Sequence, residues 1–281
     1  MTTELAIPNG HFYSPVVDPA EIAARAQQIW PEQPGHTGFD FNDENHIKVL
    51  SEYFPSYISD YDYPEKGSSD ADLTHYYTQN SQFSWLDSRL LFVLLRAEPP
   101  KRIVEVGSGY SSLLMADVNN RFLKNSADVI CIEPFPRPFL LRGIKGISRV
   151  TEKRVQDADA DIFTSLESGD ILFIDSSHVA KTGSDVNFLF FEVFPRLAHG
   201  VRIHLHDIFL PFDYPMDWVL KDGRSWNEQY LLRAFLMHNN SFEILFGCSY
   251  AFYRHRQRVV DALRHPKGHG FGGGSFWLRK L

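Results

Sequence analysis

The chain has 281 residues, 43% of them hydrophobic and 14% aromatic, so it is long enough to bury a substantial core. Its net charge of −7 argues against a general nucleic-acid binder, which normally presents a basic face. The sequence lacks both a run of about eighteen apolar residues and a secretory leader pattern, so we expect no membrane partner. Cys131 and Cys248 are expected to be free buried thiols, which fits a cytoplasmic protein.

The first 80 residues are rich in aromatic and loop-forming residues. We expect residues 1–80 to form a helical or irregular extension, or a lid, on a domain made of residues 81–281. Asp18-Pro-Ala-Glu21 combines a helix N-cap, a proline at the first helical position and a capping glutamate, and it predicts a short helix. A second helix is predicted over 43–54, ending before Pro55 because the residue before a proline disfavours helical geometry.

From residue 81 onward, short apolar strands alternate with helical patterns. That alternation is typical of a mostly parallel sheet with helices on both faces, an α/β doubly wound fold. Ser225-Trp-Asn-Glu228 matches a capping box and predicts the start of a late helix. The predicted strands are 103–106, 129–132, 148–152, 171–174, 201–205, 242–246 and 275–278, and the predicted helices are 81–96, 111–123, 136–143, 158–167, 185–197 and 226–238.

The most informative segment is Arg102–Ser112, RIVEVGSGYSS, which predicts a buried strand, a glycine turn and a helix start. Gly107 and Gly109 allow a tight turn and a close approach of a ligand to the backbone. Glu105 stands two residues before the first glycine, where its carboxylate is expected to reach the turn. An acid there suits a cationic group, such as the amino group of a methionine moiety, better than a pyrophosphate, because like charges repel. Ser112 replaces the third glycine of the dinucleotide-binding pattern.

This segment resembles the first motif of the class I S-adenosylmethionine (SAM) dependent methyltransferases, an acid followed by a Gly-x-Gly turn. The resemblance covers about residues 81–281. It implies a Rossmann-like methyltransferase sheet, mostly parallel, in which the two late strands form an antiparallel pair that closes the sheet. It also implies SAM as the cofactor. The residues of the segment expected to hold SAM are Glu105, Gly107, Ser108, Gly109 and Ser111.

Further candidates for the cofactor follow the later strands. Glu133 ends the second strand, where an acid can accept hydrogen bonds from both ribose hydroxyls. Nicotinamide enzymes use the same device, so Glu133 indicates a ribose rather than SAM in particular. In the methyltransferases the loop after the third strand typically lines the adenine, which makes Gln156 and Asp157 candidates by position. Asp175, at the end of the fourth strand, completes the expected cofactor set.

Titratable side chains follow the fourth and fifth strands, which adjoin in the predicted sheet. The fourth strand is followed by Asp175 and His178, and the fifth by His206 and Asp207. Ligands of a doubly wound sheet sit beyond the carboxyl ends of its strands. We therefore expect these four side chains to converge on a reaction centre.

One interpretation of this centre is a divalent-cation site formed by Asp175, His206 and Asp207. Carboxylates suit Mg²⁺, and a histidine shifts the preference toward Mn²⁺ or Fe²⁺. The cation would lower the pKa of a substrate hydroxyl. The arrangement resembles the catechol O-methyltransferases and the cephalosporin hydroxylases, which place an acid after the fourth strand and an acidic pair after the fifth. His178 stands where the catechol O-methyltransferases carry a basic lysine.

The other interpretation needs no metal. His178 or His206, with Asp175 to orient it, then serves as the general base for a substrate oxygen that attacks the SAM methyl group. We favour His178 as the base, and the sequence leaves both interpretations open.

The predicted function is SAM-dependent methyl transfer to a small-molecule acceptor at a hydroxyl oxygen. The alternatives are a metal-dependent hydroxylase on the same fold, a nicotinamide dehydrogenase, and a non-catalytic binding protein with a vestigial pocket. An apolar segment, 208–218, is expected to form one wall of the acceptor pocket. A basic run between the last two strands, 254–269, is expected to be a solvated helix face, with an anion site as the alternative. The sequence leaves the oligomeric state open.

Overall fold

The structure, a computed structural model, describes residues 7–263 and 273–281. Its strands match the predicted positions to within two residues at each end, because buried apolar runs flanked by loops mark strands clearly. The strands are β1 (Arg102–Val106), β2 (Asp128–Ile132), β3 (Arg149–Thr151), β4 (Ile171–Ile174), β5 (Arg202–Leu205), β6 (Phe242–Gly247) and β7 (Phe276–Lys280).

All seven strands form one sheet in the order β3-β2-β1-β4-β5-β7-β6. The first five strands pair in parallel, and β7 runs antiparallel to both β5 and β6. The order reverses between β1 and β4, and the carboxyl ends of these two strands therefore flank the crevice in which such sheets bind ligands. The predicted doubly wound sheet with a closing antiparallel pair is confirmed.

Helices cover both faces of the sheet, and several of them span a single turn. The helices are α1 (Pro19–Ala24), α2 (Ala26–Ile29), α3 (Asp43–Lys48), α4 (Phe54–Tyr57), α5 (Trp85–Ala97), α6 (Tyr110–Arg121), α7 (Pro138–Leu141), α8 (Asp161–Thr164), α9 (Asp185–Phe188), α10 (Met216–Leu220), α11 (Glu228–Met237), α12 (Cys248–Arg254) and α13 (Arg256–Leu263), with π turns at Val49–Tyr53 and Leu189–Val193 and 3₁₀ turns at Ile58–Asp60, Val155–Asp157 and Phe194–Arg196.

Alternate side chains of each strand enter two separate cores. Ile103 and Phe173 lie in a buried cluster with α5 and α6. Val104 and Leu172 point to the opposite face, where they pack with the segment that begins at α9. Because both faces are covered by helices, only the strand ends remain open to a ligand.

Several predicted helix limits are wrong, since 158–167 contains only Asp161–Thr164 and the α-helix predicted over 185–197 ends at Phe188. Two other limits are wrong for clear local reasons. The helix expected to stop before Pro55 continues to Tyr57, because the π turn restarts the hydrogen-bond pattern and places Pro55 in the first turn of α4, where its missing N–H is not needed. The helix expected from residue 81 begins at Trp85. The side chain of Asn80 accepts hydrogen bonds from the N–H groups of Gln82 and Phe83 and holds them in a turn instead.

The capping box expected at residues 225–228 is also absent. The Oγ atom of Ser225 accepts the N–H of Val17, and the carboxylate of Glu228 is directed to His178. The first N–H groups of α11, from Asn227 and Glu228, donate to the carbonyl oxygen of His178 instead. The start of α11 is therefore satisfied by the loop after β4, which brings the two segments together.

The N-terminal segment shares its core with the sheet domain. Leu50 and Phe54 belong to the buried cluster that contains α5 and α6. Nε2 of His46 accepts the N–H of Gly247 at the end of β6, and Trp30 donates its indole N–H to the carbonyl oxygen of Tyr214. These contacts attach the segment to the fold, while a domain boundary at residue 80 stays a prediction.

The remaining predictions concern which side chains are buried and which are exposed to solvent. Cys131 and Cys248 are buried and free, as predicted. Arg254 and Arg258 are exposed on α12 and α13, which agrees with a solvated helix face, and residues 264–269 of the same basic run lie outside the described residues. Within residues 7–263 and 273–281, no helix is both long and apolar enough to cross a membrane.

Candidate active site

Two adjoining cavities open at the carboxyl ends of β1, β4 and β5. The large cavity has a volume of about 850 Å³ and the small cavity about 400 Å³. They meet over the glycine turn and the loop after β4. The residues that border both cavities are Gly107, Glu133, Asp175, Ser176 and Ser177.

The glycine turn after β1 forms the floor between the cavities. Gly107 has a φ of +80°, a conformation that disfavours side chains, and an added Cβ would overlap the carbonyl oxygen of Asp175. The N–H of Gly109 donates to Oγ of Ser112 at the start of α6. Gly107 is thus required for the contact between β1 and β4, and Ser108, Gly109 and Ser111 line the large cavity. Their contact with the cofactor stays a prediction.

Glu105 does not reach the ligand space, and the expectation that it contacts the cofactor is corrected. Its carboxylate is fully buried and accepts hydrogen bonds from Ser111 at 2.6 Å, from Ser112 at 2.5 Å and from the thiol of Cys131 at 3.2 Å. Burial raises the pKa of Glu105 to about 7, although these donors oppose the shift. The side chain points from β1 toward α6, and its hydrogen bonds to Ser111 and Ser112 stabilise the first turn of that helix.

Glu133 stands at the junction of the two cavities, at the end of β2. Its carboxylate accepts the N–H of Ser108 at 3.0 Å and the N–H of Phe135 at 2.8 Å. It is half-buried and retains lone pairs for a ligand hydroxyl. Its position fits the expected contact with a ribose.

The loop after β3 contributes less than expected. Val155 and Gln156 border the small cavity, and Nε2 of Gln156 donates to the carbonyl oxygen of Gly183 across it. Asp157 is exposed and borders neither cavity, so its expected contact is corrected. The 3₁₀ turn directs its side chain to solvent.

The four expected reaction-centre residues converge on the large cavity. Nε2 of His178 lies 3.4 Å from Oδ1 of Asp175 and 3.6 Å from Oδ2 of Asp207. His178 and Asp207 both have positive φ angles, 60° and 56°, which non-glycine residues adopt at a cost. Backbone strain of this kind often occurs at functional sites, where it sets the direction of a side chain.

A further carboxylate, Glu228, lies behind His178. Its Oε2 lies 2.9 Å from Nδ1 of His178, and both side chains are buried. Trp226 packs on the imidazole with 4.4 Å between ring centres. Glu228 and Trp226 were not predicted as site residues, because the sequence shows only a helix start at this position.

The charges around His178 favour a cation at its position. Burial alone would lower the pKa of His178, but the hydrogen bonds to Asp175 and Glu228 hold that pKa well above its usual value. Burial would likewise raise the pKa of Asp175, but the positive charge of His206 and the hydrogen bond of His178 lower it to about 2. A proton or a metal ion can supply the positive charge that these carboxylates stabilise.

The geometry corrects the predicted metal set. Asp175, His178 and Asp207 each offer a ligand atom, and these three atoms lie within 4.8 Å of one another. His206 borders the large cavity but lies outside this set, although its Nε2 is 3.6 Å from Oδ1 of Asp207. Its ring packs against Phe83, with centres 5.4 Å apart. Two carboxylates and one imidazole are a donor set that suits Mn²⁺ or Fe²⁺.

Comparison with known proteins identifies the family. The family described as "Methyltransferase domain" matches residues 104–208, which run from β1 to the residues just after β5 and include both the glycine turn and the reaction centre. The chain belongs to the class I SAM-dependent methyltransferases. The match supports methyl transfer as the reaction and, with it, SAM as the cofactor.

Two similar proteins accompany this match. An uncharacterized protein of Archaeoglobus fulgidus is 37% identical over 164 residues, which cover 57% of this methyltransferase and 73% of the relative. A Plasmodium falciparum protein described as a protein-L-isoaspartate O-methyltransferase, solved with S-adenosyl-L-homocysteine, is 14% identical with a TM-score of 0.31, over 67% of this chain and 81% of that one.

Proposed function

We propose that this methyltransferase acts on a hydroxyl oxygen of a small-molecule acceptor and that His178 is its general base. One observation carries the proposal: Nδ1 of His178 is bonded to the buried carboxylate of Glu228, while Nε2 faces the large cavity beside Asp175. A histidine that is held by a buried carboxylate on one nitrogen, and whose other nitrogen lies beside a second carboxylate at the cavity, is suited to proton transfer.

The arrangement supports a specific sequence of proton movements. Because the pKa of His178 is raised, the ring must first release its Nε2 proton to solvent before it can act as a base. Donation of the remaining Nδ1 proton to Glu228 then leaves the lone pair on Nε2, on the cavity side. Nε2 accepts the proton of the acceptor hydroxyl while the acceptor oxygen bonds to the methyl carbon of SAM and the sulfur–carbon bond breaks. Asp175 and Glu228 stabilise the imidazolium that results, because both lie within 3.4 Å of the ring nitrogens.

The two cavities provide a path for the cofactor. We infer that the adenine occupies the small cavity beside Val155 and Gln156 and that Glu133 binds the ribose at the junction. The methionine end then crosses Gly107 into the large cavity. The remaining volume of that cavity accommodates the acceptor, close to His178.

The metal-ion interpretation is retained as a second candidate because of the compact set formed by Asp175, His178 and Asp207. In this case the ion would occupy the position of the Nε2 proton and lower the pKa of the acceptor hydroxyl. Nε2 cannot bind a metal and accept a proton at once, so the two candidates exclude each other.

Calorimetric titration with SAM tests the cofactor path. Glu133→Ala should weaken binding at least about tenfold, as expected for the loss of charge-assisted hydrogen bonds. Glu152→Ala, which removes an exposed acid that borders neither cavity, is the matched control. Failure of the folded protein to bind SAM, or equal losses in both variants, would contradict this placement of the cofactor.

Transfer of a labelled methyl group to a panel of hydroxyl compounds tests the base. His178→Gln should retain SAM binding and lose about 10²-fold or more in kcat. Exhaustive chelation followed by readdition of Mg²⁺, Mn²⁺ or Fe²⁺ separates the candidates. Full activity after chelation supports the metal-free base, whereas activity that returns only with an ion supports the metal site. An iron- and oxidant-dependent product without methyl transfer would support a hydroxylase instead.

A further inference from the structure

The wall of the large cavity contains an arginine held by two tryptophans. Cζ of Arg224 lies 4.0 Å from the ring centre of Trp218 and 4.7 Å from that of Trp226. The two indoles are inclined at 79° with their centres 5.4 Å apart, so they form a corner that holds the guanidinium. The N–H of Arg224 also donates to the carbonyl oxygen of Trp218. Cation–π contacts of this kind hold the charged group in place without consuming its hydrogen-bond donors.

Arg224 retains donors for a ligand. Among the described residues, its guanidinium pairs with one carboxylate, that of Asp222, at 3.2 Å. The side chains of Arg224 and Asp222 are 34% and 48% exposed, and such an exposed pair contributes little to stability, so an incoming anion can replace it. The planar guanidinium can bind a carboxylate through two parallel hydrogen bonds.

The indole ring of Trp226 lies in contact with both Arg224 and the reaction centre. Trp226 contacts both the guanidinium of Arg224, at 4.7 Å, and the imidazole of His178, at 4.4 Å. A ligand whose anionic group lies on Arg224 and whose body lies along Trp226 therefore extends toward His178. Trp218 and Trp226 present flat apolar surface that suits a planar body.

The charge of the cavity limits the charge of the ligand. Within residues 7–263 and 273–281, the other arginine that borders the large cavity, Arg137, is already bonded to Asp70 and Gln82. The cavity is also bordered by four carboxylates, which repel a doubly charged group such as a phosphate monoester. The single available guanidinium among the described lining residues matches a singly charged carboxylate. The four bordering acids are Asp87, Glu133, Asp175 and Asp207.

We propose that the acceptor is a hydroxy acid with a planar apolar body, whose carboxylate binds Arg224 while its hydroxyl lies at His178. This inference rests on the proposed function for the position of the hydroxyl, and on the contacts of Arg224 for the position of the carboxylate. Arg224 is then the residue that determines the preference for an acidic acceptor.

Calorimetric titration of the S-adenosylhomocysteine complex with matched pairs of ligands tests the anion site. The probes are 4-hydroxybenzoate and 3,4-dihydroxybenzoate, each compared with its primary amide, which has the same size without the charge. The wild-type complex should bind each acid at least about tenfold more tightly than its amide. Arg224→Gln should abolish most of that preference.

Lys221→Gln is the matched control. Lys221 is an exposed cation at the end of α10 whose partner is Asp217, and its loss changes the net charge by the same amount. Equal affinity for acid and amide, no binding of either acid, or an equal effect of the two substitutions would overturn the anion site. Methyl transfer is assayed separately. Acids that bind through Arg224 without being methylated contradict the proposed oxygen methylation and leave the anion site supported.

Discussion

Nδ1 of His178 lies 2.9 Å from Oε2 of Glu228, fifty residues further along the chain. The pairing depends on the backbone as well, since the carbonyl oxygen of His178 accepts the N–H groups of Asn227 and Glu228 at the start of α11. The side chain of Asn227 also accepts the N–H of Ala180 at 2.6 Å. Side-chain and backbone hydrogen bonds therefore join the loop after β4 to the start of α11, and together they hold the imidazole of His178 in place.

Glu228→Gln should separate the positioning of His178 from the binding of cofactor. The substitution keeps the size of the side chain but removes the charge that stabilises the imidazolium, so we expect kcat to fall about a hundredfold. The KM for SAM should change less than about threefold, because Glu228 borders neither cavity. Steady-state kinetics at saturating acceptor measure both constants.

Glu243→Gln provides the control for Glu228→Gln. Glu243 lies on β6 and pairs with Arg279, away from both cavities. The Glu243→Gln variant should keep kcat and KM near their wild-type values. A loss of SAM binding or of folded structure in Glu228→Gln, with no specific effect on kcat, would show that Glu228 has a structural role only.

Gly107→Ala should abolish SAM binding and destabilise the protein. Its Cβ would overlap the carbonyl oxygen of Asp175, in addition to the cost of a positive φ. Gly143→Ala is a matched control, because Gly143 has nearly the same φ, +81°, with no atom within 4 Å of an added Cβ. The control should lose only about 1–2 kcal/mol of unfolding free energy and retain SAM affinity. Urea denaturation and calorimetry compare the two, and equal losses would contradict a steric role for Gly107.

The sheet and the approximate position of the site could be predicted from the sequence, because both depend on local signals. Apolar runs such as Ile171–Ile174 mark buried strands, and polar residues after β4 and β5 mark the carboxyl ends of the strands, where the site lies. The glycine turn could be recognised for the same reason, since a positive φ and a close backbone contact both require glycine at position 107.

The orientations and long-range contacts could not be predicted in the same way. Alternation along β1 places Glu105 on the face of Ile103, but it does not indicate which face carries α6. Glu228 has the pattern of a helix-capping glutamate, and only the packing of α11 on the loop after β4 directs it to His178. The replacement of His206 by His178 in the candidate metal set likewise depends on the conformation of the loop after β4, which brings Nε2 of His178 to 3.4 Å from Asp175 and 3.6 Å from Asp207.

Glu105 should make the protein less stable as the pH rises. The pKa of Glu105 is about 7 in the fold and 4.5 ordinarily, so the folded state binds its proton more tightly between these values. Unfolding free energy is therefore lost as the pH increases from about 4.5 to 7, by about 3 kcal/mol from this group. Urea denaturation of wild type and Glu105→Gln across pH 4–8 measures the difference.

The variant Glu105→Gln should lack this loss, because an amide does not ionise. Glu192→Gln, at an exposed acid, serves as the control and should follow the wild type. Parallel curves for wild type and Glu105→Gln would mean that the carboxylate is not buried as described.

His46 should have the opposite effect, because it is a base held neutral in the fold. Burial lowers the pKa of His46 to about 4, against 6.5 ordinarily, while Nε2 accepts the N–H of Gly247 and so must remain unprotonated. The unfolded state binds the proton first, so stability is complete above pH 6.5 and about 3 kcal/mol is lost as the pH falls to 4. His46→Gln should remove that pH dependence, whereas His199→Gln, at an exposed histidine, should retain it. An unchanged acid transition in His46→Gln would contradict the attachment of α3 to the end of β6 through this side chain.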